Sequence, residues 1–114
     1  MEISFTTQED IGVITLEGNL MGEKDGVPIT ESFSEYLQEG TLNYVIDLSE
    51  LQLINSTGLG VLITLLTKAR KAGGEVKLAN PSSYIKNLLL ITKLNTIFQI
   101  HPSVEEAVIS YSTN

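Results

Sequence analysis

The chain of 114 residues contains no cysteine, a single histidine, and only 7 lysines and arginines against 14 aspartates and glutamates. Each shortage removes a class of function. Without thiols there is no disulfide framework and no thiolate metal site, and the composition fits a reducing compartment. One histidine with no cysteine leaves too few ligand types for a zinc centre, so no metal and no other cofactor is expected. A net charge of −7, with no cluster of lysine or arginine, leaves nothing to neutralise a row of phosphates, and no nucleic-acid partner is expected. Long apolar runs are missing too: threonine, lysine or glycine interrupts each one well short of the roughly 18 residues of a spanning helix. The start, Met1-Glu2-Ile3-Ser4, has neither the basic nor the apolar region of a signal peptide. The expectation is a cytoplasmic protein without direct membrane insertion.

The length suits one domain, residues 1–114, with a core large enough to need no metal or disulfide. Ile3 to Thr7 and Ile11 to Glu17 are rich in β-branched and apolar residues and flank the polar Gln8-Glu9-Asp10, which predicts a hairpin. Gly18 to Gly26 holds three glycines and mixed charge, and reads as a mobile loop. Pro28 then opens a short helix to about Gly40, with Ile29, Phe33, Tyr36 and Leu37 on one face. Tyr44-Val45-Ile46 is a continuous apolar run, as in a central strand buried on both faces. A short turn follows it.

From Ser56 to Ala72 the apolar residues Leu59, Leu62, Ile63 and Leu66 recur with helical spacing, and burying them contributes about 1.5–3 kcal/mol each. A second set, Val61, Leu65, Ala69 and Ala72, widens the apolar arc to about 200° at 100° per residue. Such an arc either packs on a neighbouring helix or meets a partner. Gly73-Gly74 ends this helix, and Lys68, Arg70 and Lys71 suit its negative end. Glu75 to Ala79 alternates as a strand does. Pro81-Ser82 opens another helix, in which Ile85, Leu88, Leu89 and Thr92 share a side, while Leu90, Ile91 and Leu94 suggest that its end lies under another element. Ile97 to Ile100 reads as a short strand, and Ser103-Val104-Glu105-Glu106 is a capping box opening a last helix. The predicted fold class is α/β, with the order ββαβαβαβα and a mixed, mostly parallel sheet with helices packed against it.

Most motifs for catalysis fail. Gly58-Leu59-Gly60 lacks the third glycine of a dinucleotide loop, and no Gly-Lys-Ser or Gly-Lys-Thr follows. Asn55-Ser56-Thr57 matches the glycosylation pattern, which a cytoplasmic chain never exposes to that machinery. His101, with only Pro102 and Ser103 beside it, reads as a surface residue before a helix, and no nucleophile elbow surrounds Ser56, so an enzyme is not expected. Ser56 and Thr57 remain. A helix starting there leaves free N–H groups and a positive dipole end beside two hydroxyls, so Asn55 or Ser56 is a cap, and a hydroxyl is well placed as a phosphate acceptor.

Val45-Ile46-Asp47-Leu48-Ser49 followed by Ile54-Asn55-Ser56-Thr57-Gly58-Leu59-Gly60-Val61-Leu62 resembles the signature of the STAS family, as in bacterial anti-sigma factor antagonists. Gly74 to Asn80, Leu94 to Ile100 and Ser103 to Ala107 resemble its later landmarks, so the likeness covers nearly the whole chain. It implies a single STAS domain that binds an anti-sigma factor with serine kinase activity. The kinase phosphorylates a serine matching Ser56, with Thr57 as the next candidate, and so releases the antagonist; a PP2C-type phosphatase restores it. Phosphorylation adds about −1.5 to −2 charge at the helix start. The resemblance implies a partner surface around Asn55, Ser56, Thr57, Gly58, Val61, Leu65, Met21 and Glu23. Two positions depart from the family pattern: its acidic residue before the serine is Asn55 here, and the one after the second strand is Met21, with Glu23 and Asp25 nearby as stand-ins. Those departures suit the alternative, a non-phosphorylated STAS module serving as a scaffold or subunit of a signalling or lipid-transport assembly.

Overall fold

The computed structural model describes residues 1–112. Strands β1 (Glu2–Gln8) and β2 (Ile11–Leu20) form the antiparallel hairpin expected from their composition. Glu9 and Asp10 link them with φ of 51° and 69°. Two consecutive left-handed residues give the turn whose twist matches that of the flanking strands. The chain continues through α1 (Glu23–Gln38), β3 (Asn43–Asp47), β4 (Leu51–Ile54), α2 (Ser56–Lys71) and β5 (Glu75–Ala79). It ends with α3 (Ser83–Ile91), a 3-10 turn (Leu94–Thr96), β6 (Ile100–His101) and α4 (Val104–Ser110).

The sheet order is β1-β2-β3-β5-β6, and every pairing except β1 with β2 is parallel. The fold is thus the expected single α/β domain with a mixed, mostly parallel sheet, and β3 lies at its centre. Side chains alternate across a strand. Tyr44 and Ile46 therefore join the larger core with Ile29 and Phe33 of α1, Leu62 and Leu65 of α2, and Ile85 and Leu89 of α3. Val45 and Ala79 point the other way, to Ala107 and Val108 of α4. Lys77 lies on that second face, 6% exposed. Its Nζ donates to Ser110 Oγ at 2.6 Å and sits 4.0 Å from the centre of the Tyr111 ring. Burial lowers its pKa.

Four elements differ from expectation. β4 replaces the anticipated turn after β3: with only Leu51 and Ile54 facing inward, it shows little alternation, and it forms by pairing with the second half of β2. The expected loop from Gly18 to Gly26 is instead the end of β2 and the first turn of α1. Glu23 and Asp25 favour a helix start by their charge, and buried Gly26 is there for fit, since a Cβ on it would lie 2.6 Å from Val61 Cγ2. Near the chain end, Lys93 takes the left-handed conformation and a 3-10 turn follows, so Phe98 enters the core from a turn and the strand begins only at Ile100. Lastly, Leu90 and Ile91, expected beneath another element, are 50% and 77% exposed; of that set only Leu94 is buried.

Candidate functional site

β2 and β4 end side by side, with Leu20 paired to Ile54. Each leads at once into a helix, β2 through Met21-Gly22 and β4 through Asn55. Two helix starts therefore meet at one corner, and Asn55 ties them together. Its Oδ1 accepts from Gly58 N at 3.0 Å, capping α2, and its Nδ2 donates to the Met21 carbonyl at 2.5 Å. Met21 N in turn donates to Asp25 Oδ2 at 3.0 Å. An aspartate at 55 would keep the cap but lose the donor to Met21. The two departures from the family pattern thus touch each other.

The first turn of α2 is pinned from below by Gly58. This residue is buried, and a Cβ on it would overlap the Leu20 carbonyl oxygen and lie 2.7 Å from Ile54 Cγ1. Ser56 and Thr57 face solvent, and neither hydroxyl makes a hydrogen bond among the described residues. The first turn of α2 carries no acidic residue, whereas that of α1 carries Glu23 and Asp25. Free N–H groups and an unopposed dipole favour an added anion at Ser56.

Of the expected partner-surface residues, Asn55, Ser56, Thr57, Val61, Met21 and Glu23 come together here. Thr57 and Val61 of α2 line a cleft of 270 Å³, with Glu23, Gly26, Val27 and Glu31 of α1 opposite. Leu65 and Gly58, expected on the same surface, are both buried in the free chain. Leu65 belongs to the core with Ile29 and Phe33 of α1. The wide apolar arc of α2 therefore packs mostly on a neighbouring helix, and only Val61 stays half-exposed at the cleft. Residues not anticipated are Val27 and Leu53, exposed by 52% and 46%, and Tyr84, whose hydroxyl donates to the Ile54 carbonyl at 3.1 Å. Nothing local marks Leu53 until β4 is known to be a strand. Tyr84 arrives from α3 through the tertiary fold alone.

His101 does not join this site. It lies on β6 beside β5 and lines a different cavity from the α1–α2 cleft. Its pKa is lowered, by burial first and then by nearby Lys77. The described residues hold no cluster of His, Asp or Glu fit for a metal ion, and none of their helices is long and apolar enough to cross a membrane.

The observed class is a single α/β domain with a mixed, mostly parallel sheet and four α-helices among the described residues. The chain belongs to the STAS domain family, whose model matches residues 2–107. It is 32% identical to the anti-sigma-B factor antagonist of Bacillus subtilis over 95 residues, covering 82% of this chain and 87% of that one. In structure it is similar to the protein TM1081 of Thermotoga maritima, with a TM-score of 0.84 at 22% identity over 100% of this chain and 91% of that one. It is also similar to the Bacillus cell fate determinant SpoIIAA in its phosphorylated form, with a TM-score of 0.74 at 19% identity over 96% and 99% of the two chains. These two likenesses concern the fold.

Proposed function

We propose that the chain is an anti-sigma factor antagonist that docks an anti-sigma factor with serine kinase activity on the corner where α1 and α2 begin. The partner phosphorylates Ser56, or Thr57 beside it, and the complex separates; a PP2C-type phosphatase restores the binding form. The role is regulatory rather than enzymatic, and the setting is the cytoplasm. One observation carries this reading: Asn55, not Ser56, caps α2, so the Ser56 hydroxyl is exposed and has no structural duty. A relative is 32% identical and is itself an anti-sigma-B factor antagonist, and SpoIIAA has a phosphorylated form.

The physics of release follows from place. A phosphate on Ser56 is held by the free amides at the start of α2 with little distortion, so the fold survives. The docking face gains bulk and charge beside Val61, Val27 and Leu53, where a partner makes apolar contact. A loss of about 3 kcal/mol there lowers affinity by over a hundredfold. The test is incubation with the anti-sigma factor encoded beside the gene, together with ATP, followed by intact-mass analysis. Phosphate on Ser56 or Thr57 is the expected result; unmodified protein overturns the switch.

A second reading has its own support, the Asn55 to Met21 bond, which joins the two positions where the resemblance implies acidic residues. In that reading the chain is a non-phosphorylated binding module in a signalling or lipid-transport assembly. Binding unchanged by Ser56→Asp would favour it, whereas the switch requires Ser56→Asp to weaken the complex.

A further inference from the structure

A cavity of 780 Å³ that shares no lining residue with the α1–α2 cleft lies outside the carboxyl ends of β3, β5 and β6. Open α/β sheets take ligands in such crevices, and the volume is within the range of small-molecule sites. Its polar walls are Ser49, Asn80, Ser82, Lys86, Asn95 and His101. In a chain with 14 acidic side chains, not one lines it. Glu50, next to Ser49, is exposed and is not in the lining, and Asp47 accepts from Asn80 Nδ2 at 3.1 Å and from Ser49 N at 3.0 Å. The one cationic side chain lining the cavity is Lys86.

The start of α3 agrees with that sign. α3 begins at this wall: its cap, Ser82, lines the cavity, its Oγ occupied by Ile85 N at 3.2 Å, and its first turn has no acidic residue. The positive end of the helix thus lies beside the cavity. His101 adds a further stretch of wall, with its Nε2 shielded from solvent. Leu90 and Ile100 supply an apolar side.

We propose that this cavity binds a small organic anion, a carboxylate or phosphate monoester carried on an apolar body. The acid group lies between Lys86, His101 and the start of α3, and the body lies against Leu90 and Ile100.

The test is titration of ¹⁵N-labelled protein with phenyl phosphate and, separately, benzoate, with benzylammonium as the cation of similar body. Saturable shifts of the Ser83, Tyr84, Lys86 and His101 amides are expected with at least one anion, and the stronger of the two identifies the acid group. Benzylammonium is expected to leave them unmoved. Lys86 is exposed, so Lys86→Gln should preserve the rest of the spectrum while weakening the anion about tenfold through loss of a charge-assisted bond. Ser56→Asp, outside the lining, should leave this affinity unchanged. No saturable shift at millimolar anion, equal binding of benzylammonium, or full affinity in Lys86→Gln would each overturn the proposal.

Discussion

Three helices begin at a serine, and the serine does one job in two of them and another in the third. Ser82 and Ser103 are the caps of α3 and α4: their hydroxyls accept from Ile85 N at 3.2 Å and Glu106 N at 3.1 Å. At α2 the cap is Asn55, one residue earlier, and Ser56 is the first helical residue with its hydroxyl in solvent. Capping thus falls on a serine hydroxyl at α3 and α4 and on the Asn55 amide at α2, which leaves the Ser56 hydroxyl unengaged. The division leaves Ser56 open to modification without cost to the helix. It also makes Asn55 carry two bonds, one into α2 and one to Met21.

The comparison breaks first at Gly58, which holds the α2 start down on β2 and β4. Gly58→Ala places a methyl group against the Leu20 carbonyl and Ile54, and an overpacked site of this kind costs about 3 kcal/mol. Denaturant unfolding reads it directly. A neutral result would mean that the α2 start shifts freely, and that the exposure of Ser56 is not fixed by packing. Asn55→Ala should come next, at about 2 kcal/mol, since it removes the cap and leaves the Met21 carbonyl without its donor. Asn55→Asp keeps the capping oxygen and loses only the donor, so a cost of about 1 kcal/mol is expected, between alanine and the native residue. If aspartate matches asparagine, the bond to Met21 contributes nothing.

The same corner divides what a sequence reader can see from what the tertiary fold decides. β3 and α2 were legible because each repeats its own period over enough residues, with Tyr44, Val45 and Ile46 buried on both faces and Leu59, Leu62 and Leu66 on one. The Ser103 cap was legible because its signal spans four adjacent residues, although only the serine half of the box forms. β4 was not, since four residues with two facing inward show no period, and its register comes from the end of β2. Gly26 looked like a loop glycine because its reason lies 35 positions away, at Val61. Leu65 and Val61 share one helical arc, yet one is buried beneath α1 and the other opens to the cleft; only the position of α1 separates them.

The serine caps should give smaller effects than Asn55. Ser103→Ala and Ser82→Ala each remove one capping bond, at about 1 kcal/mol. α4 has further anchors, among them the Tyr111 hydroxyl donating to the Tyr44 carbonyl at 2.6 Å, so Ser103→Ala should fray α4 before the sheet is affected. Hydrogen exchange at Glu106 and Ala107 would register that local loss. Near the same helix, His101 adds a pH dependence that the α2 start lacks. Its folded pKa lies below the unfolded value of 6.5, so below that value the unfolded chain binds more protons. Stability from this group is complete above pH 6.5 and falls as pH drops through the folded value. His101→Asn should flatten that part of the stability profile, and an unchanged slope would show that other groups produce it.

The smallest expected effect on stability is the one that sharpens the comparison most. Ser56→Ala removes an exposed hydroxyl without a hydrogen bond, so unfolding free energy should move by no more than about 0.5 kcal/mol, where the equivalent change at Ser103 costs about 1. Ser56→Asp adds a charge that the α2 dipole favours, and its melting temperature should equal or slightly exceed that of the native chain. In the kinase reaction Ser56→Ala should take up no phosphate at position 56, with any remaining label on Thr57. A drop of 1 kcal/mol or more in Ser56→Ala would return this serine to the company of Ser82 and Ser103, as a residue the helix needs. Stability that holds while phosphate is lost would leave its hydroxyl free for a partner alone.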